Sequence, residues 1–165
     1  VMHEPRLAGV NVELTIAFVA AFSRFEYALK KAKFLEGARK PGATEWSAHA
    51  NWGVFENSVV DALLTRLSTG GDAHCSEVEY LLKNPPRRQI TDGTEVGFAR
   101  EPESPKRPLT CVRTIRNNLF HGGKFGSDVL EEPSRNEILL RGALRILDAA
   151  LECDANVRSW YVAEG

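Results

Sequence analysis

The sequence predicts an all-α chain, a four-helix bundle with a partly irregular insertion between the second and third long helices. Three observations predict it. Four long segments repeat their apolar residues at the helical period. Capping residues, prolines and glycines punctuate those segments at the places where helices start and stop. The stretch from about 69 to 107 breaks the period and holds several prolines and glycines. With 43% hydrophobic and 26% charged residues, the 165-residue chain has the composition of a single globular domain, 1–165.

The first helix is expected from about Asn11 to Phe34, with Leu14, Phe18, Phe22, Phe25, Leu29 and Ala32 on one stripe. The second runs from about Thr44 to Ser68, capped by Thr44 or Ser47. Trp52, Phe55, Val59 and Leu63 line its core face, and Gly70-Gly71 ends it. Inside the insertion, Ser76–Lys83 reads as a short helix stopped by Pro85-Pro86, and a short strand is expected near Glu95–Ala99. The third long helix, about Pro108 to Phe120, opens with proline in its first turn and stops at Gly122-Gly123. In the fourth, about Ser134 to Asp154, Ser134 and Glu137 have capping-box spacing, and Leu140, Leu144, Leu147 and Leu151 form the stripe. The last residues, with Trp160 and Tyr161, either fold back on the bundle or sit in an interface.

No stretch reaches the roughly 20 apolar residues that cross a bilayer, so no membrane partner is expected. The opening residues have no basic-then-apolar pattern, which makes a cytoplasmic location the expectation. Cys75, Cys111 and Cys153 are too widely spaced for a zinc site or a disulfide framework, and His3, His49 and His74 show no ligand spacing. No metal and no cofactor is expected. The net charge of −1 conceals an asymmetry: residues 83–124 carry nine Lys/Arg against four Asp/Glu, and the remainder carries twelve against eighteen. A local excess of +5 is what a polyanion site requires, although a solvated charged loop has the same composition.

Within that basic segment lies Arg116-Asn117-Asn118-Leu119-Phe120-His121-Gly122-Gly123-Lys124. An arginine is a permanent, forked cation suited to phosphate, and a histidine both takes and gives a proton near neutral pH. On a helical wheel Val112, Ile115 and Leu119 make an apolar arc with Leu109 and Phe120 at its edge, and Arg116 falls inside it, where a cation must be paired or face a cavity. It is either paired with a core carboxylate, Glu26 being the nearest match, or held for a ligand phosphate. His121 lies about 140° further round. The two side chains converge only if the helix unwinds near Phe120 or if two subunits bring the segments together. His121 would equally serve as a helix C-terminal cap. Asn117, four residues before His121, is placed to orient its ring, whereas Asn118 on the far side of the wheel should face solvent. Lys124, Arg113, Arg87 and Arg88 are candidate RNA contacts, and Glu26 and Arg24 candidate supports for Arg116.

The Arg-x4-His spacing on the penultimate long helix of a bundle, with Asn117 directly after Arg116 and Gly122 after His121, resembles the HEPN superfamily (higher eukaryotes and prokaryotes nucleotide-binding domains). The resemblance covers about 11–34, 44–68 and 108–154, and leaves the insertion at about 69–107 unexplained. It implies a homodimer whose two Arg-x4-His segments line one cleft, acting as a metal-independent endoribonuclease. In that role Arg116, His121 and Asn117 are catalytic: His121 moves the proton of the ribose 2′-OH or of the leaving oxygen, and Arg116 stabilises phosphoryl charge. Family members often serve as bacterial toxins or antiviral effectors, so an antitoxin protein is a possible partner beside the RNA substrate. Others are non-catalytic modules that bind RNA, a nucleotide or a protein. A purely structural bundle with Arg116 paired to Glu26 is the third reading.

Overall fold

In the computed structural model, residues 11–37, 41–69, 73–120 and 133–163 are described, with side chains from residue 135 onward in the last segment. They are mostly helical: α1 (Val12–Lys31), α2 (Trp52–Ser68), α3 (Ser76–Lys83), α4 (Pro108–Phe120), α5 (Pro133–Leu151) and α6 (Ala155–Val162). Two small antiparallel pairs accompany them, β1 (Leu35–Glu36) with β2 (His49–Ala50), and β3 (Gln89–Thr91) with β4 (Val96–Phe98). Among the described residues no helix is long and apolar enough to cross a membrane.

Helix α5 is the hub. Its apolar residues Leu139, Leu140, Ala143, Ile146, Leu147 and Ala150 are buried, and it packs against α1, α2, α3, α4 and α6. One continuous core joins these elements. Its densest part is aromatic: the Trp52 ring stacks on Phe22 at 5.0 Å and on Phe25 at 5.2 Å, with Phe55 edge-on to Phe25. Gly142 lets α3 approach α5 closely, because a Cβ there would lie 2.7 Å from the Glu77 carbonyl oxygen. Gly142→Ala should therefore destabilise by about 1–3 kcal/mol, despite a helix-propensity gain of up to about 1 kcal/mol. A lowered thermal midpoint with unchanged helical circular dichroism is the expected readout.

Helix α1 ends earlier than its periodicity suggests. Lys33 adopts φ 74°, while Phe34 N–H donates to Leu29 O and Lys33 N–H to Lys30 O, which closes a Schellman motif. Phe34 is thereby turned edge-on to Phe55 at 5.1 Å. The expected start of α2 at Thr44 is wrong, and neither Thr44 nor Ser47 caps it. Helix α2 begins at Trp52, and Asn51 Oδ1 accepts from Val54 N–H at 3.0 Å. The preceding residues are extended because β2 pairs with β1 and Asn51 N–H bonds Phe34 O. Helix α3 has the expected bounds and α4 the expected start, while the expected stop at Gly122-Gly123 lies outside the described residues. The Ser134 side chain lies outside the described residues, as do Gly70 and Gly71. The chain end does fold back: α6 packs on α1, Val157 is fully buried and Tyr161 is edge-on to Phe25.

The insertion contains more order than the one expected strand. A hairpin pairs Gln89 with Phe98, Ile90 with Gly97 and Thr91 with Val96. Asp92 builds its turn, with Oδ1 accepting from Thr94 N–H, Thr94 Oγ1–H and Glu95 N–H, and Gly93 takes φ 96°. The backbone bond from Glu95, then the Thr94 bonds, hold the Asp92 carboxyl at about 2, down from its ordinary 3.8. A depressed folded-state value stabilises the turn above pH 3.8 and is lost as pH falls through about 2. The Thr94 and Glu95 amide resonances should shift in that window, and should not titrate there in Asp92→Asn.

Candidate functional site

Helix α4 carries the basic motif, and its start is fixed from another helix. Glu56 of α2 is 2% exposed. Its Oε1 accepts from Leu109 N–H at 2.8 Å and Thr110 N–H at 3.1 Å, and its Oε2 from Thr110 Oγ1–H at 2.7 Å. Arg107 Nε lies 3.2 Å from Oε2, and Arg107 also donates to Asn57 Oδ1. These bonds satisfy the first amides of α4 and place a negative charge at its positive end. Glu56 falls at Trp52+4 and Leu63−7, on the apolar stripe itself, so a charge at that core position was the available sign of a buried acceptor.

At the other end of α4, Arg116 is half-buried and its guanidinium carbon lies 5.6 Å from the Phe22 ring centre and 4.8 Å from that of Phe120. Its Nη1 donates to Asn117 Oδ1 at 3.2 Å. Among the described residues no carboxylate pairs with it. The alternative partner, Glu26, accepts from Trp52 Nε1–H at 3.1 Å instead. Two rings thus hold a cation that no carboxylate among the described residues neutralises.

The other sequence-predicted residues separate into three groups. Arg24 serves the chain end: Nε donates to Tyr161 O at 2.8 Å and Nη2 to Ala163 O, with Tyr27 beneath the guanidinium. It does not touch Arg116. Asn118, expected in solvent, is buried at 7% exposure, and its Nδ2 donates to Arg87 O at 3.0 Å. The insertion covers that side of α4, which the wheel of an isolated helix cannot reveal. His121 and Lys124 lie outside the described residues. Arg87, Arg88 and Arg113 all lie along the contact between α4 and the insertion.

That contact forms a groove. One part, of about 530 Å³, lies between Arg88, Glu103, Thr110, Arg113, Thr114 and Asn117. An adjoining part of about 460 Å³ shares Arg88, Thr114 and Asn117 and adds Ile90 and Val96 of the hairpin. Asn117 therefore lines the groove and bonds Arg116, which joins the two features. Beneath the groove floor, burial first and then the Glu103 and Glu56 carboxylates push the Cys111 thiol up to about 12. It stays protonated and is no nucleophile. Among the described residues no group of three or more His, Cys, Asp or Glu side chains is placed to hold a metal ion.

Fold and site together define an α-rich domain whose arginine-bearing helix is capped by a buried glutamate and flanked by a polar groove. No protein-family model, curated protein or solved structure matches this chain.

Proposed function

We propose that this chain is a HEPN-like, metal-independent endoribonuclease that acts as a homodimer, with a bacterial toxin or phage-defence role and an antitoxin as its protein partner. The observation that carries the reading is the state of Arg116. Its charge is half-buried at the end of α4, clamped by Phe22 and Phe120 and left without a carboxylate among the described residues. A structural arginine in such a place would be paired, because an uncompensated charge is costly to bury. A cation reserved for a substrate phosphate would be positioned and without a carboxylate, as this one is among the described residues.

In this reading His121, one residue beyond the last described residue of α4, exchanges the proton of the ribose 2′-OH or of the leaving 5′-oxygen. The 2′-oxygen attacks the adjacent phosphorus, the P–O5′ bond breaks, and the product ends in a 2′,3′-cyclic phosphate. Arg116 stabilises the charge on the non-bridging oxygens, and Asn117 positions Arg116. Dimerisation would let one subunit's Arg116 work with the partner's histidine.

The test is incubation of the purified chain with total RNA in excess EDTA, with mapping of the cut ends. Cyclic-phosphate ends produced by the wild type and not by His121→Ala are expected. A folded dimer that leaves RNA intact would turn the reading to a non-catalytic module using the same surface.

A further inference from the structure

We infer that the groove between the β3–β4 hairpin and α4 binds a guanine nucleotide of single-stranded RNA, next to the phosphate held by Arg116. The inference rests on the reading that this chain acts on RNA, and it names the part of the substrate that the insertion reads.

Three features of the groove lead there. Arg88 and Arg113 face it, and neither side chain has a hydrogen bond or ion pair among the described residues. Guanidinium groups are forked donors for phosphate oxygens. Two carboxylates line the same space, the exposed Glu101 and Glu103, and only Glu103 is held by hydrogen bonds among the described residues. Glu103 is half-buried and fixed, because its N–H donates to Pro86 O at 2.9 Å and its Oε1 accepts from Thr114 Oγ1–H at 3.2 Å. Its Oε2 has no partner among the described residues. The third feature is apolar: Ile90 is 45% exposed at the hairpin end of the groove. Opposite Ile90 stands Gly97, over which a Cβ would meet nothing within 4 Å. The hairpin thus leaves open apolar surface against which a flat ring can lie.

A site with cations, one anchored acceptor and a flat apolar wall suits a nucleotide better than it suits a bare anion. Phosphate goes to the arginines and the base to the apolar wall. The acceptor needs a base whose pairing edge presents N–H donors. Guanine offers two, N1–H and N2–H, side by side for a carboxylate, and adenine and uracil do not. The combined volume of the two parts, about 530 and about 460 Å³, accommodates one nucleotide and its neighbour. Asn117 connects the groove to Arg116 through one hydrogen bond, so a bound nucleotide would lie beside the scissile phosphate.

The test uses the full chain carrying His121→Ala, with fluorescein-labelled UUGUU and UUAUU oligoribonucleotides followed by anisotropy. About tenfold tighter binding of the guanine oligomer is expected, the discrimination one good bidentate contact supplies. Glu103→Gln retains the shape and the Thr114 bond and should erase that preference while leaving the adenine oligomer within about twofold. Arg88→Ala with Arg113→Ala should weaken both oligomers by about tenfold or more and reduce the salt dependence. Equal binding of the two oligomers, or a preference that survives Glu103→Gln in a folded protein, overturns the inference. Metal-free cleavage by the wild type without guanine preference would overturn it while the ribonuclease reading stands. Guanine-selective binding by a chain that cuts no RNA would support it and overturn the ribonuclease reading.

Discussion

Arg116→Ala and His121→Ala should each lower metal-free RNA cleavage by about 10²–10⁴-fold, with helical circular dichroism and dimer mass unchanged. The expectation for Arg116 follows from what it touches. Removing it costs two ring contacts, each worth about 0.5–1 kcal/mol, and one hydrogen bond to the exposed Asn117. Among the described residues no carboxylate is left behind unpaired, because Glu26 is already engaged by Trp52. A folded domain of this size tolerates a loss of that order. Arg116→Lys should fall between wild type and alanine, since it keeps the charge and loses the fork. Unfolding of Arg116→Ala would instead favour the purely structural reading. Retained RNA binding with His121→Ala but not with Arg116→Ala, in a chain whose wild type does not cut, would favour the binding module.

Glu56→Ala should be far more damaging to the fold, by about 3 kcal/mol or more. It leaves the Leu109 and Thr110 amides without their acceptor and Arg107 without its carboxylate, in a place where Glu56 itself is 2% exposed. For a domain of this size that corresponds to a fall of roughly 6–12 °C in thermal midpoint. Glu56→Gln keeps an acceptor for the helix amides and should lose less. The control is Glu79→Ala, which breaks the exposed pair with Lys83 at 2.5 Å and should change stability little. Equal effects of Glu56→Ala and Glu79→Ala in urea unfolding would show that the α4 cap contributes little. If the cap holds α4 in register, Glu56→Ala at a temperature where it is folded should also lose cleavage activity, because Arg116 rides on the same helix.

The helices were readable because each rests on local chemistry. Apolar residues at the 3.6 period, proline at 108 and the Pro85-Pro86 stop act within a few residues of chain, so α3 and the start of α4 were expected where they lie. The early end of α1 and the late start of α2 were not readable. Both depend on the pairing of β1 with β2, which are separated in sequence, and on Lys33 taking a left-handed conformation usually left to glycine. Sequence periodicity carries past such a stop because the apolar stripe itself continues to Phe34.

The candidate site divides along the same line. By itself the sequence determined the residue types: a basic stretch, an arginine and a histidine five residues apart, and an asparagine beside the arginine. Tertiary structure alone decided the environments. It gave Glu26 to Trp52, Arg24 to the chain end and Asn118 to the Arg87 carbonyl. It put Arg116 between two rings and set Glu103 against Thr114 in a groove that the insertion makes with α4. The physical reason is range: a helical period is written into neighbouring residues, whereas the partner of a buried charge is whichever distant group the packing brings within about 3 Å.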